Sequence, residues 1–305
     1  MILPLIALQV ASAVPAASAP PPASASASAA PSAAPTPAPA HTLGIMDQAR
    51  FDECHDQSVA DPAAGVMAAN EWLLDGGGYI ARQCLGFAYA KQGMYDAARE
   101  AFAQAAHDAE TAHDWRSANL WAQAGNAALA DWQTSLAREY INAALAQGRL
   151  TGVQLGEAYL DRARAALQDQ DWASARADLT VAAQHAPQDP LLWLLSAKLA
   201  RRQDDLARAQ ADIQVATTLA PQDPAIALEA GNIAAFDQRL DAARQSWQSA
   251  ITLAPDGPAA AAARIRLTAL DAYEAEGRTA NAATPAAPAT PSAPATITAP
   301  PPAQP

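Results

Sequence analysis

The chain has 305 residues, of which 51% are hydrophobic, and this is enough material for a sizeable core. Its formal net charge of −12 disfavours nucleic acid as a partner, because nucleic acid backbones are themselves anionic. Every Asp, Glu, Lys and Arg lies between Asp47 and Arg278, so the two ends of the chain differ in kind from its middle.

The first thirteen residues, MILPLIALQVASA, form an apolar run that ends in small residues. Ala11-Ser12-Ala13 fits the pattern that signal peptidase cleaves, which predicts a signal peptide over residues 1–13 and a periplasmic or secreted protein. Because no Lys or Arg precedes the run, a misplaced start codon and an uncleaved anchor stay open as alternatives. The run is too short to span a bilayer, and no later stretch approaches 18 apolar residues, so no transmembrane span is predicted.

Residues 14–46 and 279–305 consist mainly of Ala, Pro, Ser and Thr. These segments contain few large apolar side chains and cannot supply a core, so we predict two disordered tails. The predicted folded domain therefore covers residues 47–278.

Within that domain the prolines follow a pattern. They are Pro62 and three pairs: Pro187 with Pro190, Pro221 with Pro224, and Pro255 with Pro258. The pentapeptide APQDP recurs after 34 residues, and APDGP follows at the same interval. The sequence between the pairs has apolar residues at helical spacing, so each pair is predicted to end one helix and open the next. A period of 34 in helical sequence predicts stacked helix pairs.

These residues resemble the tetratricopeptide repeats, whose unit is two antiparallel helices with small and aromatic residues at fixed slots. In LGFAYAKQGMYDAAREAF, Leu85, Gly86 and Tyr89 match the first helix, and Ala98 and Phe102 match the second. Later matches are Trp121, Gly125, Ala137, Ile141 and Ala144; Tyr159, Ala175, Leu179 and Ala182; Trp193, Ala209, Ile213 and Ala216; and Gly231, Ala243, Trp247 and Ala250. The predicted units are residues 47–78, 79–117, 118–155, 156–189, 190–223 and 224–257, with a capping helix over 258–276.

The resemblance implies an all-α, right-handed solenoid in which small side chains let neighbouring helices approach. Two departures stand out. The second matched unit arrives 39 residues after the first, so about five extra residues lie near HDAETAHDW, and Trp132 stands where a turn glycine is usual. For the capping helix we predict one apolar stripe through Ile265, Leu270 and Tyr273, with charges elsewhere.

The two cysteines, Cys54 and Cys84, fall on the predicted first helices of neighbouring repeats, which lie side by side. In an exported protein we favour a disulfide between them. Two buried thiols that pack as small apolar residues are an alternative, and a nucleophilic Cys54 beside His55 is another. Adjacent residues on a helix point about 100° apart, which makes that last pair a poor catalytic arrangement.

No other catalytic or phosphate-binding motif occurs in the sequence. His107 with Asp108 and His113 with Asp114 lie in or near the insertion, but their spacing matches no usual ligand pattern. We therefore predict a solvated loop there, with no metal and no cofactor.

The resemblance places a partner peptide or helix in the concave groove, against the first helix of each repeat. The implied groove residues are Gln83, Phe87, Lys91, Asn126, Leu129, Leu160, Arg164, Gln168, Leu194, Lys198, Arg201, Arg202, Leu228, Asn232 and Phe236. Family members that clamp the carboxylate of a chaperone tail use a Lys and paired Asn in two adjacent repeats. The matching early slots here hold Gln83, Ala122 and leucines, which disfavours that ligand.

Four of the groove residues, Arg164, Lys198, Arg201 and Arg202, are predicted to form a basic patch that attracts an acidic, partly apolar partner segment. The alternative is that Asp161, Asp204, Asp205 and Glu229 neutralise them locally. We predict a non-enzymatic interaction scaffold of the cell envelope. One alternative is an envelope-assembly protein whose tails act as spacers, and a more distant one is an enzyme with Cys54/His55 chemistry.

Overall fold

A computed structural model describes residues 44–283 of the chain, with side chains to residue 276. The predicted signal peptide lies outside the described residues, as do most residues of the two predicted tails. Within the described range the chain forms thirteen α-helices and no strand. They are α1 (Ile45–Ala60), α2 (Pro62–Leu74), α3 (Gly78–Lys91), α4 (Tyr95–Thr111), α5 (Ser117–Ala130), α6 (Thr134–Ala146), α7 (Gly152–Gln168), α8 (Trp172–His185), α9 (Pro190–Arg202), α10 (Leu206–Leu219), α11 (Pro224–Phe236), α12 (Leu240–Leu253) and α13 (Pro258–Ala283).

Each helix packs on the helices before and after it, and successive odd-numbered helices from α5 onward also touch. The predicted all-α solenoid of stacked helix pairs is confirmed. Helix α1 begins two residues before the predicted start of the domain, and α13 extends into the predicted C-terminal tail as far as Ala283.

The turn inside each helix pair sets the register of the array. Its left-handed residue is Gly93 in the second pair, and Trp132, Gln170, Asp204 and Gln238 take the same place in the pairs that follow. Their φ angles lie between 58° and 75°, a region that favours glycine. The four non-glycine residues are held there because the two helices that they join are fixed by packing.

The turn between successive pairs carries the helix-start signals. Pro190, Pro224 and Pro258 are the first residues of α9, α11 and α13, as the proline spacing predicts. Asp189 caps α9 by accepting a hydrogen bond from the Leu191 amide at 2.8 Å. The amide hydrogens of the first helical turn have no partner within the helix. Proline has no amide hydrogen, so placing it at the first position of a helix sacrifices no hydrogen bond.

Small residues let the helices of each pair approach closely. A Cβ added to Gly86 would lie 2.8 Å from the Phe102 ring, and one added to Gly231 would lie 2.4 Å from the Trp247 ring. The small slot of the second helix, occupied by Ala98 in the second pair, is fully buried in each later pair as well. The core is therefore a series of layers of one aromatic or branched side chain against one glycine or alanine.

The insertion contains one buried polar residue, so the prediction of a solvated loop is wrong at Asp114, whereas Thr111, Ala112 and His113 beside it are exposed. Asp114, only 4% exposed, accepts hydrogen bonds from the Tyr79 hydroxyl at 2.7 Å and from the Arg116 amide at 2.9 Å. Burial by itself raises the pKa of the Asp114 carboxyl, but these hydrogen bonds and the Arg116 charge outweigh burial and lower it. Burial, followed by the hydrogen bond and the charge of Asp114, raises the pKa of Tyr79 to about 12.

The last helix differs from its predicted pattern. Leu270 is buried, but Ile265 and Tyr273 are 70% and 62% exposed, so the single apolar stripe is wrong. At 100° per residue, Ile265 lies about 140° around the helix from Leu270, which no single stripe can bridge. None of the helices in the described range is long and apolar enough to cross a membrane.

Candidate functional site

Four of the predicted groove residues take part in hydrogen bonds between neighbouring first helices. Gln83 donates to Gln123 at 3.2 Å, Asn126 to Asp161 at 2.8 Å, and Arg201 to Glu229 at 2.6 Å, while Arg266 of α13 donates to Asn232. We call these contacts the polar ladder. The ladder places Gln83, Asn126, Arg201 and Asn232 on one face of the array.

Asp161 of the ladder is largely removed from solvent, with 15% of its side chain exposed. Asp161 also forms an ion pair with Arg164 at 2.7 Å, yet burial outweighs its partners and raises the pKa of its carboxyl. The pKa of Glu157, one turn earlier on α7, is raised by burial and then by the charges of Asp161 and Asp189. Glu157, Asp161 and Asp189 therefore lie close enough together for their negative charges to interact.

Three of the predicted groove leucines do not face a partner. Leu129, Leu160 and Leu194 are buried in the core, where they pack between neighbouring helices. Their slot lies at the seam between first helices, so the next repeat covers the side chain. Leu228 is half-buried, and Gln168 is exposed at the end of α7.

The predicted basic patch divides into paired and unpaired cations. Arg164 and Arg201 form ion pairs with Asp161 and Glu229, at 2.7 and 2.6 Å. Arg202 stacks over the Trp172 ring at 5.3 Å and has no carboxylate partner in the described part of the chain. Lys198 has neither an ion pair nor a hydrogen bond among residues 44–276. Two of the four cations are thus available for a partner.

Two of the predicted groove residues near the N-terminus, Phe87 and Lys91, are in contact with each other, and Phe87 also contacts α1. The Phe87 ring stacks on the His55 ring at 4.3 Å, and the Lys91 ammonium lies 5.1 Å above the Phe87 ring. Behind them Cys54 and Cys84 are bonded as a disulfide that joins α1 to α3, with their Cα atoms 6.4 Å apart. Neither sulfur is a free thiol in this structure, so Cys54 is not available here as a nucleophile.

The face is open at its C-terminal end. Two adjoining hollows of about 530 and 330 Å³ share Trp247 and Arg266, and we call the pair the C-terminal depression. Phe236, 52% exposed, lines the first hollow, and Tyr273 lines the second. Trp247 forms the floor and donates through its indole nitrogen to Asn232 at 3.2 Å.

Sequence reasoning identified Asn232 and Phe236 but missed Arg266, Trp247 and Tyr273 as parts of this surface. Arg266 stands 34 residues after Asn232, hence at the same slot of the next first helix. The 34-residue spacing extends the slot into α13, for which the family resemblance implies only a capping role. The described residues contain no group of His, Cys, Asp and Glu that could hold a metal ion.

No protein-family model matches the chain, and no curated protein matches it either. Among solved structures it is similar to PilW, a widely conserved type IV pilus biogenesis factor, with a TM-score of 0.60 and 16% identity over 71% of this chain and 97% of PilW. It is also similar to PilF of Pseudomonas aeruginosa, with a TM-score of 0.56 and 14% identity over 76% of this chain and 99% of PilF. A third match, in the Cut9–Hcn1 hetero-tetramer, has a TM-score of 0.61 and 15% identity over 77% of this chain and 43% of that one.

The stacked helix pairs and these similarities define an α-helical repeat protein. Its fold is that of the tetratricopeptide repeats, the fold that PilW and PilF also have. At identities of 14–16% the similarities establish the fold and leave the function to be argued from the residues.

Proposed function

We propose that the chain is a non-enzymatic protein–protein interaction scaffold that binds a peptide or helix along the face of the polar ladder. The observation that carries this proposal is a pair of cations without a carboxylate partner, Lys198 and Arg202, on the helix whose Arg201 lines a depression with an exposed Phe236. Cations without a carboxylate partner and exposed aromatic rings are typical of surfaces that anchor a partner.

The charge along the face supports an acidic and partly apolar partner segment. Glu157, Asp161 and Asp189 crowd negative charge near the middle of the array, so a further carboxylate there is unfavourable. Lys198, Arg202 and Arg266 lie toward the C-terminal end, where a carboxylate gains attraction. The acidic residues of the partner therefore bind at the C-terminal half, and Phe236 supplies apolar contact.

We infer the cell envelope as the compartment. The support is the signal-like sequence of residues 1–13 together with the disulfide, because disulfides persist in oxidising compartments. The structurally similar PilW is a pilus biogenesis factor, and a scaffold role in envelope assembly is consistent with that similarity.

The test compares two charge-matched variants as baits for partners from an envelope extract. Lys198→Glu with Arg202→Glu reverses the two unpaired cations, and Arg149→Glu with Arg264→Glu changes the net charge equally at exposed positions outside the depression. We expect a protein that is retained by the natural chain and the control and lost from the first variant, with equal helicity in all three. The association rate should fall at low salt.

Equal retention by both variants would place the partner site elsewhere. The loss of every specific partner from the control as well would mean that overall charge, and not this surface, governs binding.

A further inference from the structure

We propose that the C-terminal depression binds a segment of the chain itself, the proline-rich residues 284–305, which compete there with the partner. The inference rests on the proposed function only for the competition, because binding of the segment can be measured alone. The segment has the sequence TPAAPATPSAPATITAPPPAQP and begins directly after α13.

The apolar chemistry of the depression suits proline. Phe236 and Tyr273 are each more than half exposed, and the Trp247 ring forms a floor that is only 5% exposed. Proline-rich segments in the polyproline II conformation dock in grooves lined by aromatic rings, with proline rings between them. This conformation loses little entropy on binding, because proline fixes one backbone angle in advance.

The polar chemistry of the depression also fits. A polyproline segment has carbonyl acceptors without internal partners, and its prolines have no N–H donors. The depression offers donors: Arg266 contacts Asn232 through Nε alone, and the Gln238 side chain has no hydrogen-bond partner among the described residues. The one buried carboxylate nearby, Glu229, is occupied by Arg201 and Asn232. The depression thus offers the donors that a proline-rich segment with free carbonyl acceptors requires.

The segment also has the reach that the proposal needs. α13 supplies Arg266 and Tyr273 and ends at Ala283, ten residues beyond Tyr273, which is about 15 Å along the helix. Returning over that distance takes about five residues at roughly 3.1 Å each in an extended chain. About seventeen of the following residues therefore remain to lie in the depression.

The covalent connection between α13 and the segment determines how strongly the segment competes with a partner. A short flexible connection gives an effective concentration of about a millimolar, so even a segment with a dissociation constant of about 0.1 mM would occupy the depression most of the time. A partner must then displace it, and removing the segment should raise the apparent affinity for any ligand of the depression by about tenfold.

The test measures fluorescence anisotropy of a labelled synthetic peptide with the sequence of residues 284–305. It is titrated with the full chain and with a full-length variant whose eight prolines after Ala283 are changed to Ala. We expect saturable binding in both cases and an affinity for the variant about tenfold higher than for the natural chain, because the altered segment no longer competes.

Two further variants locate the site. Phe236→Ala with Tyr273→Ala, made in the proline-free background, should abolish peptide binding with unchanged helicity. Tyr95→Ala, a partly exposed tyrosine on α4, is the matched control and should bind as before. Because the peptide has no charged side chain, binding should be nearly independent of salt and should survive Lys198→Glu with Arg202→Glu. A failure of the proposed partner site therefore leaves this result unaffected.

Three outcomes would overturn the proposal. Absence of saturable binding to the proline-free variant at millimolar concentrations would show that the depression does not take proline-rich segments. Binding that persists in the Phe236 and Tyr273 variant would place the site elsewhere. Equal affinity of the natural and proline-free chains would show that the segment does not occupy the depression within its own chain.

Discussion

Removing the disulfide should destabilise the first two helices and leave the far end of the array unchanged. Cys54 and Cys84 are 30 residues apart in sequence. In the chain-entropy model, a cross-link that closes a loop of this length lowers the entropy of the unfolded chain by an amount worth about 3.6 kcal/mol at 25 °C. The loss on reduction should approach this value, because reduction keeps both sulfur atoms in the core.

The effect should be local because contacts in the array are local. α1 packs only on α2 and α3 to any extent, and the disulfide is its one covalent link to α3. In a solenoid the stability of one repeat depends on its own packing and on its nearest neighbours. The helices from α9 to α13 share no contact with α1 and should keep their stability.

Hydrogen exchange at amides in a urea series, with and without dithiothreitol, measures both effects together. We expect α1 and α2 to exchange through an opening that is easier by about 3–4 kcal/mol in the reduced protein, with α9–α13 unchanged. Cys54→Ala with Cys84→Ala should behave as the reduced protein does, apart from a further loss for the missing sulfur atoms. Equal protection of α1 in the oxidised and reduced protein would show that the disulfide does not stabilise this helix. An equal loss of protection at α13 would show that its effect is not local.

Four further predictions concern single side chains. Trp132→Gly should stabilise the protein to urea by about 0.5–1 kcal/mol, since it removes a left-handed backbone strain, while Gly93→Ala in the equivalent turn should destabilise it. Gly231→Ala should lower the stability to urea by a net 1–2 kcal/mol, roughly, because the clash with the indole exceeds the gain in helix propensity. Tyr79 keeps its proton in the folded state to a pKa of about 12, so stability should fall as pH rises above about 10, and Tyr79→Phe should remove that fall. Asp114 has a lowered pKa in the folded state, so its contribution should be present above about pH 4 and lost as the solution becomes more acidic, which acid titration of Asp114→Asn would test.

The repeat architecture was predictable because it depends on spacing. Pro190, Pro224 and Pro258 mark helix starts at a fixed interval, and a proline can occupy few other places in a helical chain. The turn at Trp132 was harder to read, because its left-handed conformation is imposed by the two helices that it joins and not by the residue. Local propensity predicts a turn only where the residue itself favours one.

The insertion shows what spacing cannot predict. Two His-Asp pairs near a break in the repeat suggested a solvated loop, yet Asp114 is buried between Tyr79 and Arg116. Tyr79 lies 35 residues earlier, and nothing local in the sequence indicates that its hydroxyl reaches this turn. Polar networks between distant residues depend on helix placement, which follows only after the core has formed.

At the slot shared by Arg164, Lys198, Asn232 and Arg266, the availability of a cation follows from the residue three positions before it, one turn earlier on the same helix. Asp161 lies three positions before Arg164 and forms an ion pair with it. The residue three positions before Lys198 is Leu195, which has no carboxylate to pair with. The corresponding residue of the next helix pair is Asn232, which lies three positions after Glu229 and donates a hydrogen bond to it.

Arg266 completes the series. It follows Ala263, so it has no carboxylate on its own helix one turn earlier and instead reaches back to Asn232 on α11. Among the cations at this slot, Lys198 and Arg266 therefore lack a carboxylate one turn earlier on their own helix. Both lie toward the C-terminal end of the array. Because Leu195 and Ala263 stand where other helix pairs have a carboxylate, the cations three positions after them keep their positive charge unpaired by their own helix in this acidic protein.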